Sequence, residues 1–191
     1  MNLNISRLDT RVQGSIRDSC KRLGSVHRGL AEGLTMHTMD FRLPVVEKLD
    51  RTFFKGKFCG TYGISVTTFV PFIRTPVILL NERWLSDYDL ATNSLRRTMD
   101  CGWHPECDDV FDYLVFHEAA HTIYKNMSMN KKRHWKGFFR DRKNRSDIMD
   151  ISGYSLVNAG ECFCESVAAY YCGADHYRSN RFAAMARDLF F

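Results

Sequence analysis

No stretch of the 191 residues stays apolar for the roughly 20 positions that a bilayer-spanning helix needs, so no such helix is expected. The N-terminal stretch MNLNISRLDTRVQGSIRDSCKRLG is charged throughout and lacks the apolar centre of a secretory signal. An odd number of cysteines without such a signal argues against an extracellular disulfide framework. Cys20, Cys59, Cys101, Cys107, Cys162, Cys164 and Cys172 are therefore expected to be mostly reduced thiols in a cytoplasmic setting unless crosslinks form later in an oxidising assembly, with Cys162 and Cys164 read as small core thiols. Internal repeats, low-complexity tracts and recognised nucleic-acid motifs are all missing. Acidic residues nearly vanish from residues 125–145, where Lys125, Lys131, Lys132, Arg133, Lys136, Arg140, Arg142, Lys143 and Arg145 face Asp141 alone. Such a segment is either a solvated face or a contact surface for an acidic partner or nucleic acid. The net charge of +5 is otherwise mild.

The hydrophobic share of 45% and charged share of 26% describe an ordinary globular chain, long enough for one domain with or without an extension. Ile5, Leu8, Val12, Ile16, Cys20 and Leu23 recur at helical spacing, and a second helix is expected from Pro44 through Phe53. Residues 57–70, rich in β-branched and aromatic side chains, read as a strand or bent pair. The run VILLN, residues 77–81, reads as a strand, at an edge because Pro71 and Pro76 lie nearby. Residues 86–108 read as polar and irregular. A buried helix is expected over about 109–127, another over 159–173 with Asn158 as its N-cap, and a terminal one over about 178–189. Helices, then strands, then helices give an α+β chain. Its expected parts are a helical extension, 1–55, for anchoring or assembly, and a domain, 56–191.

The chemistry concentrates in His117-Glu118-Ala119-Ala120-His121. Two histidines at i and i+4 share one helix face, so both imidazoles can reach one zinc ion, at about 2.0–2.1 Å each. The glutamate between them lies beside the metal, placed to take a proton from the zinc-activated water and deliver it to a leaving amine. A shuffled chain with seven His and seven Glu contains HExxH only about once in a hundred sequences. Such residues on an apolar helix also need partners, because unpaired buried charge is expensive.

A catalytic zinc takes three protein ligands and keeps one position open. The HExxHxxGxxH arrangement fails here, with Tyr124 at the glycine and Met127 at the third histidine. Glu161 and Glu165, four apart in GECFCES, are the best candidates: one for the metal, the other to hold the free N–H of a ligating histidine. Asn158-x-x-Glu161 also fits a capping box, which would leave Glu161 closing a helix terminus. His104 and His134 are alternative ligands. Cys101, His104 and Cys107, with Cys162 or Cys164, would form a second, structural zinc site.

Together with HExxH, the pattern Tyr154-x-x-x-Asn158-x-x-Glu161-x-Phe163-x-Glu165 resembles the catalytic domain of metallopeptidases of the anthrax lethal factor type. GWHPEC and the strand VILLN look like the peptidase-like domains of phage head and virion proteins in that group. The resemblance covers about residues 57–175. It implies a zincin fold, with a small mixed sheet packed on an HExxH helix and a glutamate-bearing second helix. It implies a Zn2+-dependent peptidase in which His117, His121 and Glu161 bind the metal. Glu118 would be the general base, Tyr154 an oxyanion donor and Glu165 the carboxylate behind a histidine. A protein or peptide substrate follows, with virion or head-tail proteins as partners and a virion location if the chain derives from a phage. The alternative is a virion or assembly protein that keeps the zinc-binding fold with little or no turnover. Two features depart from the pattern. HEAAHTIY lacks the usual small residue near its end, and Cys162 and Cys164 stand where Phe or Ala is more usual.

Overall fold

The computed structural model describes residues 1–40, 61–66 and 76–191. The helix expected from Pro44, most of the strand expected over 57–70, Cys59 and Pro71 lie outside the described residues. The chain divides into two compact units, Met1–Asn93 and Ser94–Phe191.

The first unit carries strands β1 (Asn2–Asn4), β2 (Thr35–Met39), β3 (Gly63–Val66) and β4 (Val77–Asn81), in the order β1-β2-β4-β3. β1 and β2 are parallel, as are β2 and β4, while β3 runs antiparallel to β4. A parallel pair needs a crossover, and helices α1 (Thr10–Val26) and α2 (Arg28–Gly33) supply it between β1 and β2. Val12, Ile16, Cys20 and Leu23 form the buried stripe of α1, and the Cys20 sulfur lies 3.9 Å from the Met36 sulfur on β2. Asp9 caps the helix by accepting from Arg11 N–H at 2.7 Å, so Ile5 and Leu8 are buried ahead of it rather than within it.

Two expectations are corrected here. The N-terminal segment is not a purely helical extension, since β1 and β2 both belong to it and pair into the sheet with β4. Three- and five-residue strands are too short to show a period of two beside the long helical stripe. VILLN is also an interior strand, flanked by β2 and β3, not an edge. Pro76 precedes the strand, so its missing N–H falls outside the ladder, while its carbonyl still accepts from Thr35 N–H at 3.1 Å. A short helix, α3 (Glu82–Leu85), follows β4, capped by Asn81.

Helix α4 (Tyr88–Asp100) occupies part of the segment expected to be irregular. Only Ala91, Leu95 and Met99, four apart, are buried on it, a stripe too narrow to stand out among polar neighbours. The remaining helices are α5 (Val110–Asn126), α6 (Met129–Arg140), α7 (Arg145–Met149), α8 (Ala159–Cys172) and α9 (Arg181–Phe190). Every side chain from Val110 to Ala120 is buried, as is every one from Cys162 to Ala169, so α5 and α8 form the centre of the second unit and pack along each other. Trp135 on α6 is fully buried, donates from Nε1 to Ala159 O at 2.6 Å, and sets its edge on Phe163 and Phe182. The whole chain is α+β, and among the described residues no helix is long and apolar enough to cross a membrane.

Candidate metal centre

His117 and His121 project from one face of α5, with ring centroids 4.9 Å apart and nearly perpendicular. Glu161, in the first turn of α8, sets its Oε2 3.4 Å from His117 Nε2 and 3.3 Å from His121 Nε2. These separations are long for hydrogen bonds, which centre near 2.9 Å, and Glu161 Oε2 is buried with no hydrogen-bond partner. They match the edge of a tetrahedron of N and O donors about 2.05 Å from a central ion, which is about 3.3 Å. Burial would raise the Glu161 carboxyl, but the two facing imidazoles hold it well below the ordinary carboxylate range. Burial would lower His117, yet the carboxylates of Glu161 and Glu165 outweigh it and raise the ring well above its ordinary value. The site therefore favours added positive charge, and its donor set of imidazole and carboxylate suits zinc.

One turn further along α8, Glu165 is fully buried. Its Oε1 lies 2.8 Å from His117 Nδ1, with the N–H not aimed along that line, and accepts from Tyr113 Oη at 2.7 Å. Its Oε2 accepts from Ser152 Oγ at 2.7 Å and lies 3.3 Å from His104 Nδ1. Tyr113 has one hydroxyl hydrogen, and Glu165 takes it. His104 Nδ1, 2.6 Å from the Tyr113 oxygen, is therefore the donor of that pair. Burial would raise the Glu165 carboxyl, but His104 and His117 hold it down at about 2. An ionised carboxylate so surrounded puts negative charge beside His117 Nδ1, while Nε2 of the same ring faces Glu161.

Tyr154 stands beside this group. Its ring stacks against His117 at 6.2 Å, meets His104 edge-on at 5.3 Å and packs on Trp103 at 5.6 Å. Two backbone bonds tie its loop to GWHPEC: Gly153 N–H to Gly102 O at 2.7 Å and Tyr154 N–H to Trp103 O at 2.9 Å. Gly102 has φ +71°, which a side chain would strain, and a Cβ on Gly153 would come within 3.0 Å of the Trp103 ring. Burial, then Glu161, Glu165 and Glu118, raise the Tyr154 phenol well above its ordinary value, so it remains a hydrogen-bond donor. Glu118, the residue after His117, is buried with Oε2 lacking any hydrogen-bond partner.

The structure thus brings together His117, Glu118, His121, Tyr154, Glu161 and Glu165. Asn158 does cap α8, accepting from Gly160 and Glu161 N–H at 2.8 and 3.0 Å, while the Glu161 carboxylate presents Oε2 to the histidines. His104 sits behind Glu165 rather than beside His121, and His134 is exposed on α6. Among the described residues, Cys101, His104 and Cys107 do not converge as a metal site; Cys101 is exposed and Cys107 is buried in a bridge to Gly173. His117, His121 and Cys164 do form such a group, their donor atoms all within 4.8 Å of one another. Sequence reasoning missed Tyr113 and Ser152, and it assigned Cys164 to a separate zinc site with Cys101, His104 and Cys107 rather than to the histidines of α5. Tyr113 had a signal, being four residues before His117 on the same face; Ser152 had none. In the basic segment, Trp135 and Phe138 pack on Phe182, so these aromatics form no exposed stacking platform for bases.

The chain matches no protein-family model, no curated protein and no solved structure.

The geometry assigns unequal parts to the two glutamates. Glu161→Ala should weaken zinc affinity more than Glu165→Gln, whose loss should be about 10–100-fold, as is typical of a group that orients a ligand. Chelator competition on the purified variants measures both. The reverse order would exchange the two roles.

Proposed function

We propose that the chain is a zinc-dependent peptidase with a zincin-like catalytic unit. The observation that supports this most is Glu161 Oε2, buried without a hydrogen bond and 3.3–3.4 Å from two imidazole nitrogens, the spacing of ligands around one ion. The bound zinc would supply Lewis acidity and a nucleophile at neutral pH. His117, His121 and Glu161 hold it. Glu165 orients His117 through Nδ1, and Tyr113, Ser152 and His104 keep Glu165 ionised and in place. Glu118, with an unengaged carboxylate oxygen, takes the proton of the attacking water and returns it to the leaving amine. Tyr154, held protonated, donates its hydroxyl to the oxyanion that forms at the scissile carbonyl.

The resemblance to phage head and virion peptidase-like domains suggests the substrate class: a protein or peptide, with head-tail or other virion proteins foremost. Elemental analysis of gently purified protein, followed by zinc titration, tests the reading. One zinc per chain is expected, and a chain that holds none and takes up none overturns it.

Tyr154→Phe should leave zinc content and fold intact and slow turnover by about 10²–10³, the usual loss for one oxyanion donor. Unchanged kcat in this variant would reduce Tyr154 to a packing residue against His104 and Trp103.

A further inference from the structure

Besides Glu161 and Glu165, Cys164 of α8 comes close to the histidines. Cys164 lies three residues after Glu161, hence on the same helix face, and is fully buried. Its sulfur and the ring nitrogens of His117 and His121 lie within 4.8 Å of one another. Cys162, two residues earlier, is buried too, yet it is not part of that group. From these placements we propose that Cys164 is a fourth protein ligand of the metal, closing a set of two imidazoles, one carboxylate and one thiolate. The inference rests on the metal reading above and deepens it.

The distances allow this. Zinc at about 2.05 Å from nitrogen and about 2.3 Å from sulfur in a tetrahedron puts N and S about 3.6 Å apart. The sulfur already lies within 4.8 Å of a nitrogen of each ring, so it needs to approach by about 1.2 Å at most. On binding, the S–H bond breaks, a metal–sulfur bond forms, and the proton leaves to solvent. A coordinating thiol is deprotonated outright by a divalent ion, so the protein needs no separate base.

The consequence concerns control of the site. A catalytic zinc keeps one position open, and a site with four protein ligands is closed. With Cys164 bound, the resting centre is latent. Displacing the thiolate would free that position for water or substrate.

Cobalt(II) in place of zinc gives a test that needs no substrate. The full chain should take up one cobalt and show sulfur-to-cobalt charge-transfer absorption in the near ultraviolet. Cys164→Ala and Cys164→Ser should bind cobalt without that band, and Cys162→Ala should keep it. Wild-type protein that binds cobalt with no near-ultraviolet sulfur band overturns the inference while the metal reading stands. This result needs no folded variant. A band that survives in Cys164→Ala assigns the sulfur to another cysteine and overturns it equally. Failure to bind either cobalt or zinc removes the metal reading, and this inference with it.

Discussion

Glu118→Gln is expected to keep its zinc, its fold and its thermal stability, and to lose nearly all peptide hydrolysis. Glu118 is 6% exposed, and one of its carboxylate oxygens has no hydrogen-bond partner. A buried carboxylate with an unpaired oxygen costs stability, so its presence here points to a task other than holding the fold. Replacing it with the nearly isosteric amide removes basicity and little else. General acid–base groups contribute about 10²–10⁴ in rate, and that is the loss expected in kcat, with KM little changed. The measurement compares wild type and variant on co-expressed virion proteins and on the chain's own termini, followed by kinetics on any peptide so found. If cleavage is seen in neither protein across many candidates, the alternative gains: a virion component that retains the site for structure. If cleavage persists in Glu118→Gln, the proton work belongs elsewhere, and Tyr154 and Lys125 become the groups to vary next.

His121→Ala should abolish tight zinc binding. Of the two histidines it is the cleaner probe, because His117 also faces Glu165 through Nδ1, and its removal unsettles a buried carboxylate. The His121 side chain is 20% exposed, and its ion-pair contact is with Glu161. Without it, Glu161 Oε2 loses one of its two facing imidazoles, and His117 Nε2, Glu161 Oε2 and the Cys164 sulfur remain as a weaker, incomplete set. Zinc at 100 times the dissociation constant should stabilise wild type by about 2.7 kcal/mol against unfolding. The same zinc concentration should leave the variant's unfolding transition where it is in chelator. Calorimetry or denaturant melts with and without zinc measure the difference. An equal zinc-dependent shift in wild type and His121→Ala would mean that the stabilising ion sits at another place, and the convergence of Glu161 on the histidines would need a different explanation.

Some of the molecule could be read directly from residue order because local geometry decides it. A helical period of 3.6 puts His117 and His121 on one face, Glu161 and Glu165 on one face, and Tyr113 below His117, whatever the rest of the chain does. The apolar content of α5 and α8 likewise announced two buried helices within one or two residues of their observed bounds. Strands β1 and β2 were hidden because three to five residues are too few to show alternation, and pairing with a distant partner decides them. Helix α4 was hidden because three buried residues on a polar helix leave a faint stripe. VILLN showed its strand character but not its neighbours, since sheet order depends on where a crossover lands.

At the site the division is the same. The sequence by itself determined the kinds of side chain and their spacing along each helix: two imidazoles and a glutamate on α5, two carboxylates on α8, and a tyrosine shortly before it. Tertiary structure alone decided which donors meet. It put Glu161 between two Nε2 atoms, packed Glu165 behind His117 with Tyr113, Ser152 and His104 around it, and brought Cys164 to the histidines. The reason is that a helix period fixes the angle between side chains on one axis, whereas the rotation of one helix against another is set by the packing of every buried side chain between them.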